Sequence, residues 1–503
     1  MEQKYISPQD LEEYAAAMMY VQQPRLVRFL GWVLKRVSFV LGYPVYIALP
    51  QEIINMKDSP EQLRALRIVK KLQQEGYITQ SYYLTSQQSD YPLSQILIHE
   101  IKTAVQDIGW SGKAAHLTSR EYLQWPALGE ALERYSLQSP YSTPGELLSS
   151  SYAKLKKPKA DIFTLTSFSD AERQQTYNDC SLQYDDQSIF VWARAKDALT
   201  GKTVYAPWQW FSFQHIHKII GGQSAKIEPL LSPPITTGAA AGQTLTDALY
   251  VALLEIIERD AFMIYWHQQL PARRIDVSTI ENPELQQLLT LAVKYQLELH
   301  VLYLETDAPV HTVCLVVLDR TGIGQAVSID SKSGFDITAV IVDLLQDQLA
   351  QKESLDNIWH FNKELQNTPP EKLGLVERIL YWHKPERLDD IAYFISGEIC
   401  TLNDLPSFQV GDSKTEQLEY LYDWFRKKNY PVYYKEIITP ELKRLTEGVS
   451  VVMVRVPQMQ PLYVGERFKA TGGARLKEVA RSLGYTSDKH QSGNYCTIPS
   501  PFI

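Results

Sequence analysis

Cysteine is scarce, with four in 503 residues: Cys180, Cys314, Cys400 and Cys496. No two of them form a Cys-x-x-Cys pair, which leaves no basis for a zinc ribbon or a secreted disulfide framework. An excess of positive charge is also missing: 50 Lys and Arg face 58 Asp and Glu, a formal net charge of -8. The 30 tyrosines are dispersed without interleaved basic clusters, which argues against a nucleic-acid-binding face. No apolar run reaches the roughly 20 residues that a membrane-spanning helix needs. The most apolar stretch, 27–50, is broken by Lys35, Arg36, Gly42 and Pro44. The opening MEQKYISPQDLEEY has neither the basic segment nor the apolar core of a signal peptide. G-x-x-x-x-G-K-[ST] and G-x-G-x-x-G are both absent. These absences together lead us to expect a reduced, cytoplasmic protein that engages neither nucleic acid nor membrane.

What is present is ordinary globular material, 45% hydrophobic and 21% charged. The length allows about two to four domain-equivalents, or one large α/β unit with an appendage. The first 95 residues read as a separate segment of unknown role. Helices are expected over 9–22, 25–41 and 60–74, with strands over 43–49 and 77–84. Leu26, Phe29, Leu30, Val33, Leu34 and Val37 form one apolar stripe, read as packing against the segment's own domain. TSQQSDYPLSQ, residues 85–95, is the candidate linker. From 96 to 503 strands near 188–195, 298–304, 312–318 and 449–456 mix with helices near 125–139, 246–266, 336–352 and 415–428. This predicts an α/β (α+β) fold of undetermined strand order.

Two short helical segments echo each other. Residues 127–136 read ALGEALERYS and residues 252–261 read ALLEIIERDA. Each carries Glu-x-x-Glu-Arg: Glu130, Glu133 and Arg134, then Glu255, Glu258 and Arg259. The spacing i, i+3, i+4 puts each set on one helix face. The second helix is apolar nearly all round, so it should be buried together with its carboxylates. Either set alone reads as an i, i+4 salt bridge, Glu130 to Arg134 or Glu255 to Arg259. Taken together, four acids against two arginines leave negative charge that suits a hard cation such as Mg²⁺. Upstream, TTGAAAGQT (236–244) leads into the second helix with Gly238, Gly242 and a Thr244/Asp247 capping box. Such a loop is expected to present free N–H groups to an anion. His267 and Cys496 read as structural or incidental.

From about Trp110 onward the chain resembles the YcaO family, in particular the D-protein subunits of thiazole/oxazole-forming cyclodehydratases. The landmarks are WSGKAAH (110–116), ALGEALERYS, the segment 149–170 and the strand 190–207. They continue with TTGAAAGQTLTDALYVALLEIIERDAFMIYWH, VVMVRVPQMQPLYVG (451–465) and the closing PSPFI. The resemblance implies a YcaO-type fold and ATP and Mg²⁺ as cofactors. It also implies phosphorylation of a peptide amide oxygen, so that Cys, Ser or Thr of a ribosomally made precursor closes to an azoline. By that resemblance Glu130, Glu133, Glu255 and Glu258 are metal or phosphate ligands. Lys113, Arg134, Gln243, Asp247, Arg259 and Gln348 belong to the nucleotide site, and Pro499, Pro501 and Ile503 to a tail in the active site.

The sequence departs from the family pattern at several positions. Gln243 stands for the usual Asn and Asp247 for a Glu. In DLLQDQ (343–348) Asp343 and Gln346 keep an acid and an amide, but Gln348 replaces an arginine. Losing a guanidinium beside a triphosphate costs about 1.5–3 kcal/mol of charge-assisted contact. A thioamide- or amidine-forming enzyme and an impaired scaffold subunit therefore stay open as alternatives. The expected partners are the precursor peptide and a separate E1-like, leader-binding protein; a homodimer stays open.

Overall fold

The computed structural model describes residues 48–49, 60–85, 97–104, 111–116 and 123–502, apart from 139, 144, 167, 175–179, 221–227, 323, 362–364, 366–367 and 370–371. The expected helices 9–22 and 25–41, the apolar stripe 26–37 and Ile503 lie outside the described residues. So does all but Ala48–Leu49 of the expected strand 43–49. The chain divides into two compact units, Met1–Ala131 and Leu132–Ile503. The helices that matter below are α1 Pro60–Gln74, α2 Gln124–Gln138, α3 Leu245–Gln268, α4 Ile337–Phe361, α5 Leu375–Trp382, α6 Lys414–Lys428 and α7 Arg475–Ser482.

In the first unit Ala48–Leu49, Ile78–Thr85, Leu97–Thr103 and Ser111–His116 form an antiparallel sheet in sequence order. The strands on either side of the expected linker are therefore hairpin partners. Helix α1 buries Ala65, Ile68, Val69 and Leu72, the i, i+3, i+4, i+7 stripe of an amphipathic helix. A Cβ on Gly112 would lie 2.0 Å from the Ala127 carbonyl oxygen, so only glycine lets the strand Ser111–His116 approach α2 this closely.

The second unit holds two sheets with α3 packed against both. One runs Leu148–Ser151, Ile189–Asp197, Tyr433–Glu436, Ser450–Arg455 and Ala239–Gly242, with Thr203–Pro207 added beside Ile189–Asp197. The other runs Val327–Gly334, His311–Asp319, Leu297–Tyr303, Arg273–Ile275 and Ile399–Cys400. Helix α3 touches the first sheet through Ala248, Ala252 and Ile256 against Ala240, Val452 and Val454. It meets the second through Phe262 and Trp266 against Cys314, Val316 and Ile329. Among the described residues the helical expectations hold to within two residues at every end, except that α4 continues to Phe361.

Register in the second sheet positions the site. Cys314 pairs with Ser331 and Val316 with Ile329. Residues of one parity face α3, and the period of two then turns Ser331 toward α3 and sends Lys332 to the other side. The strand Val327–Gly334 is the sheet's edge, so its side chains serve both neighbouring helices, α3 and α4.

Candidate functional site

The approach to α3 is a strand rather than the anion-cradling loop expected from its glycines. Ala239–Gly242 pairs with Ser450–Met453 as the edge of its sheet, which takes part of its backbone groups into the ladder. Gly238 has φ +88°, and a Cβ there would meet the Val454 carbonyl oxygen at 2.3 Å. At Gly242 a Cβ would lie 2.3 Å from Ala248 N. The glycines thus serve turn geometry and close packing. The capping box forms as expected: Asp247 accepts from Thr244 N (3.1 Å) and Oγ1 (2.8 Å), and Thr244 Oγ1 accepts from Asp247 N (3.1 Å). Asp247 also pairs with Lys414 Nζ at 3.4 Å. Gln243 is half-buried in the turn just before the cap.

Three turns into α3, the carboxylates gather. Glu255 Oε2 accepts from Gly238 N (2.9 Å). Glu258, 6% exposed, accepts from Ser331 Oγ (3.0 Å). Arg259 stands among three acids. Its shortest contact is with Glu258 at 2.8 Å, against 3.8 Å to Glu255, the expected i, i+4 partner, and 3.9 Å to Asp330. Burial pushes Glu255 and Glu258 above the usual carboxylate range against the pull of Arg259, and the charge of Glu255 adds to the push on Glu258. Asp330 is pushed up to about 7 by burial, which Arg259 offsets only in part, with Glu258 and Asp347 adding repulsion. On the far side Lys332 binds Asp347 of α4. Burial disfavours its charge, but Asp347, Asp343 and Asp330 outweigh that and raise its pKa. The guanidinium of Arg455, fully desolvated, falls to about 10; it donates to the Trp210, Thr237 and Ile235 carbonyls and acts electrostatically on Glu255, as does Arg134.

The segment 496–502 closes over the same helix. Cys496 N donates to the His267 carbonyl (2.8 Å) and Trp266 Nε1 to Ile498 O (3.3 Å). Pro499 and Pro501 are buried, and the Pro499 carbonyl accepts from Trp382 Nε1 (3.1 Å). Phe502 bridges to Ile329 in parallel register. Its ring centroid lies 4.0 Å from the Arg259 guanidinium carbon and 4.7 Å from the Phe262 ring. His267 is fully buried against Tyr463 and Tyr495 and falls to about 3 through desolvation. Burial pushes the Cys496 thiol up. Neither is poised for acid–base or nucleophilic chemistry, as the sequence suggested.

The first echo straddles the two units. In the first, Lys113 N donates to Glu130 (2.8 Å), and Lys113 Nζ sits 3.9 Å from Glu100. Glu133 and Arg134 fall in the second. On α4 Gln346 and Gln348 are each 3% exposed, and Gln348 Oε1 has no hydrogen-bond partner among the described residues. Among those residues no three His, Cys, Asp or Glu side chains converge as ion ligands do. The donor chemistry nonetheless fits a hard cation: Glu255, Glu258 and Asp330 are oxygen donors within 4 Å of one guanidinium, and burial raises all three above the usual carboxylate range. Asp330, Ser331, Lys332, Asp347 and Phe502 were not singled out from the sequence. For Asp330, Ser331 and Lys332 the signal was the charged residues alternating along the strand VSIDSKSG.

A two-sheet α/β unit organised on a buried, carboxylate-bearing helix is the class that the fold and site define. A family model described as YcaO cyclodehydratase, ATP- and Mg²⁺-binding, matches residues 118–460, well over half of the chain. The protein belongs to the YcaO family, whose members bind ATP and Mg²⁺. No curated protein sequence matches the chain significantly. Among solved structures, a heterocyclase in complex with substrate and cofactor matches at TM-score 0.66 and 18% identity, over 86% of this chain and 57% of that one. The heterocyclase TruD matches at 0.54 and 19%, over 75% and 50%. YcaO from Methanopyrus kandleri bound with AMPPCP and Mg²⁺ matches at 0.55 and 16%, over 80% and 91%. At these identities the likeness is one of fold, and this chain spans only about half of the two heterocyclases. No described helix is long and apolar enough to cross a membrane.

Proposed function

We propose that the chain is the ATP- and Mg²⁺-using subunit of an azoline-forming synthase, acting on Cys, Ser or Thr of a ribosomally made precursor peptide beside a separate leader-binding partner. The observation that carries this reading is the placement of Glu255, Glu258 and Asp330 around a single arginine on a buried helix. The neighbour from Methanopyrus kandleri, bound with AMPPCP and Mg²⁺, supports the choice of ligand. Glu255 and Glu258, with Glu133, would hold the metal, and Arg134, Arg259 and Gln348 would face the nucleotide. A bound divalent ion supplies charge neutralisation for a transferred phosphoryl group.

The chain's own contribution is positioning. Gly238 N–H and Ser331 Oγ each fix one carboxylate in a defined rotamer, so little reorganisation is needed when charge arrives. Asp330 and Glu258, on which burial favours a proton, would have to give it up to hold a cation. The buried segment carrying Pro499 and Pro501 lies against α3 and α5, and its Phe502 ring shields one face of Arg259 from water.

Calorimetry with Mg²⁺ and ATP tests the reading directly. Micromolar binding by the wild type, weakened about tenfold or more in Glu258→Gln, is the expected result. Absence of binding, with and without a partner chain, would sink it and leave a scaffold subunit whose carboxylates are salt-bridged core.

A further inference from the structure

Arg259 is the pivot of the acid cluster, yet its carboxylate neighbours alone do not fix it. Glu258 makes the one short contact, and Nε is buried with no hydrogen-bond partner among the described residues. The guanidinium instead lies on the face of the Phe502 ring, 4.0 Å from its centroid. That ring is 1% exposed and has Phe262 packed against it. Three further contacts fix its backbone: the bridge to Ile329, donation from Arg378 Nη1 to Phe502 O (3.2 Å), and Phe502 N donating to Ser500 Oγ (3.2 Å). Ile329 is next to Asp330, so the same strand edge holds both the ring and an acid of the cluster.

We infer that Phe502 is a positioning residue: its π face holds the Arg259 guanidinium in place over Glu255, Glu258 and Asp330. A guanidinium largely withdrawn from water, its side chain 17% exposed, is attracted to the negative face of a ring, and a planar group stacked in this way loses the freedom to swing between three competing carboxylates. Only the consequence for nucleotide affinity rests on the proposed function; the hold on Arg259 does not.

The test uses the full chain with ¹⁵N-arginine, the Arg259 Nε–H resonance being assigned by its loss in Arg259→Lys. In the wild type this resonance is displaced upfield by the ring current, and Phe502→Leu returns it downfield while Phe502→Tyr keeps it. MgATP affinity falls about tenfold in Phe502→Leu, the size of a desolvated cation–π contact, and recovers in Phe502→Tyr. A second variant guards against misfolding: pentafluorophenylalanine at 502 keeps the shape and reverses the ring's quadrupole, so affinity falls with thermal stability preserved. An unshifted resonance in the wild type, or full MgATP affinity in the pentafluoro variant, overturns the inference. A shifted, ring-dependent resonance in a protein that binds no nucleotide upholds the inference and defeats the ATP reading.

Discussion

Two charged clusters meet on α3 at adjacent residues, and they are built on opposite plans. Around Asp260 the charges balance. Arg475 donates to both carboxylate oxygens (2.8 and 2.6 Å), Gln460 N adds a third bond (2.7 Å), and Arg475 continues to Asp307 (2.9 Å), which Lys428 also pairs (2.6 Å). Two acids meet two cations there. Arg475 and Lys428 bring Asp307 below the usual carboxylate value, whereas burial keeps Asp260 itself above it against the pull of Arg475. Around Arg259 three acids lie within 4 Å of one guanidinium, with Arg134 and Arg455 acting on Glu255 and Lys332 on Asp330 from farther off, and burial raises all three. A network of close, bidentate pairs clamps the scaffold, whereas acids held by single or long contacts leave room for a ligand.

The largest effect expected from this contrast is on Arg475. Arg475→Met leaves Asp260, itself fully buried, without its partner and should cost about 3–5 kcal/mol in denaturant unfolding. Arg259→Met should cost markedly less, because two of its three acid contacts are long and Arg134, Arg455 and Lys332 still act on Glu255 and Asp330. Equal costs at the two sites would erase the distinction between scaffold and site.

Asp330→Asn should act in the opposite direction. The folded-state pKa of Asp330, about 7, lies above its unfolded value, so folding takes up a proton. Stability from this group therefore falls as pH rises from about 4 to about 7 and is flat above. Replacing it with Asn, among Arg259, Glu258, Lys332 and Asp347, should stabilise the protein by about 1–4 kcal/mol at pH 8 and hardly at all below pH 4. Urea midpoints at the two pH values measure it. A loss of stability at pH 8 would mean that the acid is already compensated in the folded chain.

The contrast also explains what could be read from sequence. Helix α3 was legible because its apolar residues and capping box agree with its fate, and burial of Glu258 followed from them. The i, i+4 rule named Glu255 as the partner of Arg259, but the closer contact is its neighbour Glu258, turned toward Arg259 and Ser331 by the strand beside it. Asp330, Ser331 and Lys332 reach the site through the register of an edge strand, and a pattern along one chain does not encode which strand becomes the edge. The glycines of TTGAAAGQT were visible, but pairing with Ser450–Met453 decided their role, and that is a long-range contact. Phe502 could be seen only as the last aromatic before the end of the PSPFI motif.

The smallest effect expected is at the N-terminus of α3, and it separates a cap from a ligand. Asp247 sits in the capping box with Thr244 and pairs with Lys414, whose side chain is 56% exposed. An exposed ion pair contributes little, so the cap dominates. Asp247→Ala should cost about 1 kcal/mol of stability. Asp247→Asn removes the charge but keeps an oxygen that can accept from Thr244, and it should recover most of that loss. If Asp247 only ends the helix, MgATP affinity in both variants stays within about twofold of the wild type, well inside the tenfold step expected at Glu258. If Asp247 is a nucleotide ligand, as the family resemblance implies, both variants lose affinity although Asn restores the fold. The site then extends along α3 from its cap to Arg259, and its acids grow from three to four.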